Sequence, residues 1–383
     1  MAIHPNPEVM EWAIQRSGIE RQTILKEWPK FEQWLDGTWS PTVKQIRDFA
    51  DKVHINVSAL FSDTVPDLGL QIADFRTVND SKMKNPSPEL YDTINLMMRR
   101  QSWMREYFSY EGRQQISFIG SFTRQPLNSS TVQDLTAQLY NLLHLESDWA
   151  VNCKSTEDAF RLLKNRIEQT GISVVVNGVV NDNTHRPLKT EEFRGFVLSD
   201  AIAPLIFING KDAKSAQIFT LIHELSHLAY SQTGVSNPSD NPESPESKVE
   251  HFCNSVAAEF LVPENWLRKE FSISDSNLYD KISRIARQAK VSFLVVARRV
   301  KDVGLINRNQ FFDQYHQHQK RKPIQKKSGS GGNYFNTKQY RLGNVFSDAI
   351  LTAVNTGYIE YRDAYDLTGL NAVSFRKYFA GVE

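Results

Sequence analysis

Gln217-Ile218-Phe219-Thr220-Leu221-Ile222-His223-Glu224-Leu225-Ser226-His227-Leu228-Ala229-Tyr230 is the stretch whose reading decides the fold. Leu221, Ile222, Leu225, Leu228 and Ala229 recur at helical spacing, which predicts an amphipathic, largely buried helix. Residues four apart in a helix sit one turn above each other. His223 and His227 therefore point the same way and can both reach one ion. Two imidazoles suit Zn2+, and Glu224 beside them is placed to take a proton from water activated there.

Zinc needs a third protein ligand. Ser247-Lys248-Val249-Glu250-His251-Phe252-Cys253-Asn254-Ser255-Val256-Ala257-Ala258-Glu259-Phe260-Leu261-Val262-Pro263 offers one. Val249, Phe252, Cys253, Val256, Ala257, Phe260 and Leu261 again follow helical spacing, and Pro263 marks the stop. Glu250 then projects into a packed seam, where an unpaired carboxylate is costly and a metal removes the cost. Asn254, one turn later, is positioned to hydrogen-bond a ligand histidine. His251 projects to another face and is not a ligand. Cys253 reads as a small buried core residue.

Together these two stretches resemble the ImmA/IrrE group of zinc metallopeptidases. The resemblance rests on a Phe-Thr lead into HExxH and on a glutamate ahead of an asparagine. A run of two small residues, Glu, an aromatic and Leu then ends in proline. Residues 191 to 209 also resemble the strand pair that precedes the motif in that group, and the likeness covers about residues 150 to 310. Ser226 stands where a glycine is common, and Cys253 where alanine is usual. Both are small, so the ligands are unaffected. The resemblance implies His223, His227 and Glu250 as zinc ligands and Glu224 as catalytic base. It also implies cleavage of a repressor or other regulator in a stress or mobile-element response.

The chain has 383 residues, enough for two or three domains, and 40% of them are hydrophobic, with 22 Phe. A net charge of +1 gives no general bias toward polyanions. The two cysteines, Cys153 and Cys253, suit a reducing cytoplasm rather than a disulfide framework. Neither a secretory leader nor an apolar run long enough to span a membrane is expected, so the predicted location is cytoplasmic.

Residues 1–65 read as five short helices. Asn6 and Pro7 start the first, with Val9, Met10, Ala13 and Ile14 inward and Ser17-Gly18 at its end. Pro41 opens the fourth, with Val43, Ile46, Phe49 and Ala50 inward. This region resembles the XRE type of helix-turn-helix, whose third helix reads the major groove. Here that helix supplies only Lys30 and Gln33 as candidate DNA contacts, while Trp28 and Trp34 are more simply core. DNA reading and a protein-docking role both remain open.

Residues 66–170 read as a connector and a helical region packing on the core. Ser87-Pro88-Glu89 starts a helix lined by Tyr91, Ile94, Met97, Met98, Trp103, Met104 and Phe108. Further helices are expected over 132–145 and 156–169. Residues 171–315 form the peptidase core. Strands are expected over 172–176, 193–200 and 203–209, with His185 on an exposed loop between them. A small sheet beside the HELSH helix is what a zincin-like fold requires, and a sheet edge there could hold a peptide as an added strand. Residues 231–247 read as a polar loop, either a lid or plain surface. Residues 316–333, rich in Lys, Gly and Ser, read as a flexible basic linker. Residues 334–383 read as a C-terminal helical unit, either a docking module or a nucleic-acid face using Arg341, Arg376 and Lys377.

The fold class expected is α+β, mostly helical. The function expected is an intracellular zinc endopeptidase acting on a protein regulator such as a repressor, coupled to a helix-turn-helix domain with DNA as a second partner. Two alternatives are an antitoxin or transcriptional regulator of a toxin–antitoxin module that acts by binding, and an autoregulating transcription factor with the metal as sensor.

Overall fold

The computed structural model describes residues 4–66, 73–74, 86–236, 248–274, 277–321 and 334–380. Most of the expected connector, most of the polar loop and the Gly/Ser-rich end of the expected linker lie outside the described residues. The fold is α+β and mostly helical, and it divides into two compact units. No helix among the described residues is long and apolar enough to cross a membrane.

The first unit contains helices Pro7–Ser17, Arg21–Glu27, Phe31–Leu35 and Val43–Lys52 and the 3-10 helix Val57–Phe61. Its boundaries follow from local chemistry. The Asn6 side chain accepts from the Glu8 N–H, and Gly18 ends the first helix at φ 66. Thr42 and Gln45 form a capping box on the fourth. Phe31 stacks on Phe49 with ring centroids 5.3 Å apart, and Trp28 and Trp34 pack against them as core. Val43 differs from expectation and is 55% exposed. It opens its helix, and the inward face begins one turn later at Ile46.

The second unit is built on a five-stranded sheet. Its strands are β1 (Ala73–Asp74), β2 (Ser173–Asn177), β5 (Gly195–Leu198), β6 (Leu205–Asn209) and β7 (Gly234–Ser236), while β3 (Val179–Val180) and β4 (Asn183–Pro187) form a separate hairpin. The order is β1-β7-β5-β6-β2. β2 runs parallel to β6 with Val175 opposite Phe207, and β5 is antiparallel to both β6 and β7. Every residue of β2, β5 and β6 is buried, which explains their unbroken apolar runs. His185 lies on β4 rather than on a loop, and it is exposed as expected.

Helix Pro88–Tyr110 belongs to the first unit as far as Asn95 and to the second from Leu96, and helices Ser129–Leu143 and Thr156–Gln169 follow it ahead of β2. Met98 was expected in the buried stripe of the first of these but is 36% exposed. The buried face instead runs through Ile94, Met97, Met104 and Phe108. Gln101 on the same helix donates to the carbonyls of Leu198 and Ala203 at 2.8 and 3.0 Å. The expected linker begins later than its composition suggested, because residues 316–320 belong to helix Arg308–Lys320, started by an Asn307–Gln310 capping box.

Of the C-terminal helices, Tyr334–Leu342 and Asn344–Asn355 pack on the sheet at β2, Tyr361–Thr368 packs on the second of them, and Ala372–Ala380 on Tyr361–Thr368. Lys338 is 2% exposed and ion-pairs with Asp182, which also takes Arg341 at 2.8 Å. Arg341 is therefore engaged within the fold by Asp182. A Cβ on Gly343 would lie 2.9 Å from the Val174 carbonyl, so this glycine permits the close approach. The β2 edge is thereby covered and is not the edge where a peptide would add.

Candidate metal centre

His223, Glu224 and His227 lie on helix Lys214–Ala229, which packs on β5 and β6. Glu250 lies on helix Lys248–Leu261, packed alongside it. The three side chains His223, His227 and Glu250 converge. The Nε2 atoms of His223 and His227 are 3.1 Å apart. Glu250 brings Oε2 within 3.2 Å of His223 Nε2 and Oε1 within 3.1 Å of His227 Nε2. All three residues are buried, the histidines completely.

This triangle suits a metal ion. Zinc bonds of about 2.0–2.2 Å give a tetrahedron with edges of about 3.3–3.6 Å, slightly wider than the three separations here. Burial opposes charge on Glu250, but His223 and His227 beside it prevail and bring its pKa down to about 2. The carboxylate is therefore ready as an anionic ligand. Burial also opposes charge on His227, while Cys253 and Glu250 beside it push its pKa well above the usual imidazole value. Cys253 is fully buried, and that burial raises its thiol pKa and keeps it protonated. It is a core residue beside His227.

Residues 167–301 match the family model for the IrrE N-terminal-like domain, peptidase family M78. The match contains both ligand helices and β2 through β7. A second model, a domain of unknown function (DUF8813), matches residues 342–380. No curated protein matches the chain.

Two residues within the matched stretch lie against these side chains without having been singled out in the sequence. Gln232 presents Oε1 to His227 Nδ1 at 2.9 Å. An amide oxygen only accepts, so Nδ1 donates to it, and Nε2 is the nitrogen that faces Glu250 and would take a metal in place of a proton. At His227 this is the role the sequence had suggested for Asn254. Ser231, at φ 55, turns the chain so that Gln232 folds back. Gly195 on β5 is the other. A Cβ there would lie 2.9 Å from Glu224 Oε1, 2.7 Å from Thr220 Cγ2 and 3.0 Å from the Phe207 carbonyl. Only glycine lets the helix carry Glu224 this close to the strand. A glycine inside a β-branched and aromatic run is the sequence signal for such an approach.

The remaining candidates fall outside the triangle. Asn254 is half-buried one turn after Glu250. His251 is exposed, as its helix face predicted. Tyr230 packs between Phe122 and Phe252. Lys30 and Gln33 belong to the first unit. The Lys30 ammonium lies 3.2 Å from the centroid of the Trp39 ring, and the Gln33 carbonyl accepts the Trp39 N–H at 2.9 Å.

Proposed function

We propose that the protein is a zinc-dependent endopeptidase that cuts a protein regulator such as a repressor. The observation that carries this reading is the His223–His227–Glu250 triangle with Glu224 next to it on the same helix. A bound zinc supplies Lewis-acid activation of water and of a peptide carbonyl. Glu224 accepts the proton of the attacking water and returns it to the leaving amine. His227 is held in its working tautomer by Gln232, and Gly195 sets the distance between Glu224 and the sheet. Asn254 steadies the ligand cluster from the second helix.

Glu224→Gln tests the mechanism. The variant should retain one equivalent of zinc yet lose at least about 100-fold in cleavage of its target protein. Undiminished cleavage would remove Glu224 as the base.

A second reading, regulation by binding in the manner of an antitoxin, draws on the burial of the same residues. His223, Glu224 and His227 are 0% exposed, which also suits a metal that only holds the fold. Equal neutralisation of the partner protein by wild type and Glu224→Gln would favour it.

The first unit joins the proposal as a helix-turn-helix-type regulatory module. Its five short helices around one aromatic core support this, with Lys30 and Gln33 both exposed for DNA. Mobility shifts with the chain's own promoter should weaken steeply with salt. A salt-independent result would assign the unit to protein docking instead.

A further inference from the structure

The last three helices of the second unit pack in sequence, Asn344–Asn355 on Tyr361–Thr368 and Tyr361–Thr368 on Ala372–Ala380. Only Gly369, Leu370 and Asn371 separate the last two. Gly369 ends the middle helix at φ 67, and the Asn371 side chain accepts the Ser374 N–H at 2.9 Å to start the last. Two helices joined by a short glycine-containing turn have the form of a helix-turn-helix. Ala364, Leu367, Leu370, Phe375 and Phe379 are its buried residues. Tyr378 and Ser347 tie the last helix to the first through hydroxyls 3.0 Å apart. Arg99 and Arg100 donate to the Asp366 and Leu367 carbonyls at 2.9 and 3.2 Å, which fixes the pair to the second unit.

The last helix turns a polar stripe outward. Val373, Arg376, Lys377 and Ala380 recur at helical spacing and are all exposed, Val373 by 64%. Residues 372–380 contain no acidic side chain. Arg376 and Lys377 make no hydrogen bond or ion pair among the described residues. Lys338 and Arg341 differ, since Asp182 holds both. The middle helix differs too, because its exposed Arg362 stands with exposed Asp363 and Asp366. Uncommitted positive charge in this helix pair is therefore concentrated on the last helix. One valine beside two cations is too little apolar surface to anchor a folded protein. It does suit duplex DNA: Arg and Lys donate to guanine edges and phosphates, and a small apolar side chain meets a thymine methyl. Tyr361, 56% exposed with its ring 6.1 Å from that of Phe375, sets a hydroxyl beside the same helix for a phosphate.

We propose that helix Ala372–Ala380 docks in the major groove of double-stranded DNA through Val373, Arg376 and Lys377. This contact is separate from Lys30 and Gln33 and does not depend on the metal centre.

The test uses full-length protein and a fluorescein-labelled, mixed-sequence duplex about two helical turns long. All proteins carry Lys30→Gln with Gln33→Ala, so that the first unit adds nothing through those residues. Two cations on phosphates give a salt slope of about −1.8, so fluorescence anisotropy should show binding about tenfold weaker in about 200 mM than in about 50 mM salt. Arg376→Gln with Lys377→Gln should weaken binding at least about tenfold at the lower salt and remove most of that salt dependence. Val373→Glu, which sets a negative charge on the same exposed stripe, should weaken it comparably. Thermal unfolding by circular dichroism should be unchanged in both variants, since the substituted side chains are exposed. Failure to bind the duplex, unchanged affinity and salt slope without Arg376 and Lys377, or equal affinity for a single strand of the same length overturns the proposal.

Discussion

Gly195→Ala is a single methyl that bears on both the fold and the site. The new Cβ would meet Thr220 Cγ2 at 2.7 Å, Glu224 Oε1 at 2.9 Å and the Phe207 carbonyl at 3.0 Å. The third contact is backbone of β6, hydrogen-bonded to β5, and cannot rotate away. Relief must come from the HELSH helix lifting off the sheet. Overpacking of this kind costs about 2 kcal/mol. For a unit of this size that is a fall in Tm of roughly 4–8 °C. The lift also moves the two histidines relative to Glu250, and a misplacement of about 1 Å at a reacting centre costs about a hundredfold in rate. The assays are thermal unfolding by circular dichroism, zinc affinity by competition with a chromophoric chelator, and cleavage rate. Gly304→Ala is the control, since its Cβ meets nothing within 4 Å and its cost is confined to a positive φ of 75. An unchanged Tm together with unchanged zinc affinity in Gly195→Ala would refute the reasoning that glycine is needed for the approach of Glu224.

Further outcomes follow from the same geometry. Gln232→Ala should fold normally but bind zinc about 10–100-fold more weakly, because His227 loses the acceptor that fixes its tautomer; equal affinity by chelator competition would contradict this. The pKa of Glu250 is depressed to about 2 from an ordinary 4.5, so its stabilising contribution is present above about pH 4.5 and is lost as pH falls toward 2. In metal-free protein, Tm should fall across that window, and Glu250→Gln should flatten the fall; an identical pH profile in the variant would count against the assignment. Asp182→Asn should leave Lys338 buried without its anion and cost about 2–3 kcal/mol, less than a fully buried pair because Asp182 is 28% exposed. Limited proteolysis should then release the C-terminal helices faster than in wild type, and equal rates would reject that account.

The ligand helices were legible because their apolar spacing and the His-to-His interval are local properties. The all-buried β2, β5 and β6 were legible for a related reason, since continuous Val, Ile and Phe runs have few other uses. Gln232 was not legible. Its role depends on a left-handed turn at Ser231, and a lone Gln after a helix carries no signal. Gly195 was readable as a glycine within a strand, but only the third dimension shows that Glu224 is what it admits. Helix Arg308–Lys320 was hidden partly by the basic composition that follows it, although Asn307 and Gln310 already spelled a cap. The two-residue β3, the three-residue β7 and the polar β4 are too short or too polar to show apolar alternation, and they arise from tertiary pairing. The Arg341–Asp182 ion pair was not legible, because charge in a sequence does not declare whether its partner is solvent or a distant carboxylate.

The roof that helices Tyr334–Leu342 and Asn344–Asn355 place over β2 has a bearing on how this protein tolerates shortening. Ser173–Asn177 is buried throughout, with three valines at its centre, and these helices cover it. A chain ending before Tyr334 would present a naked, sticky strand together with the stranded charge of Asp182, an invitation to edge-to-edge self-association. The tail matched only by a domain of unknown function would then act as a built-in guard against clumping, inseparable in practice from the sheet it shelters.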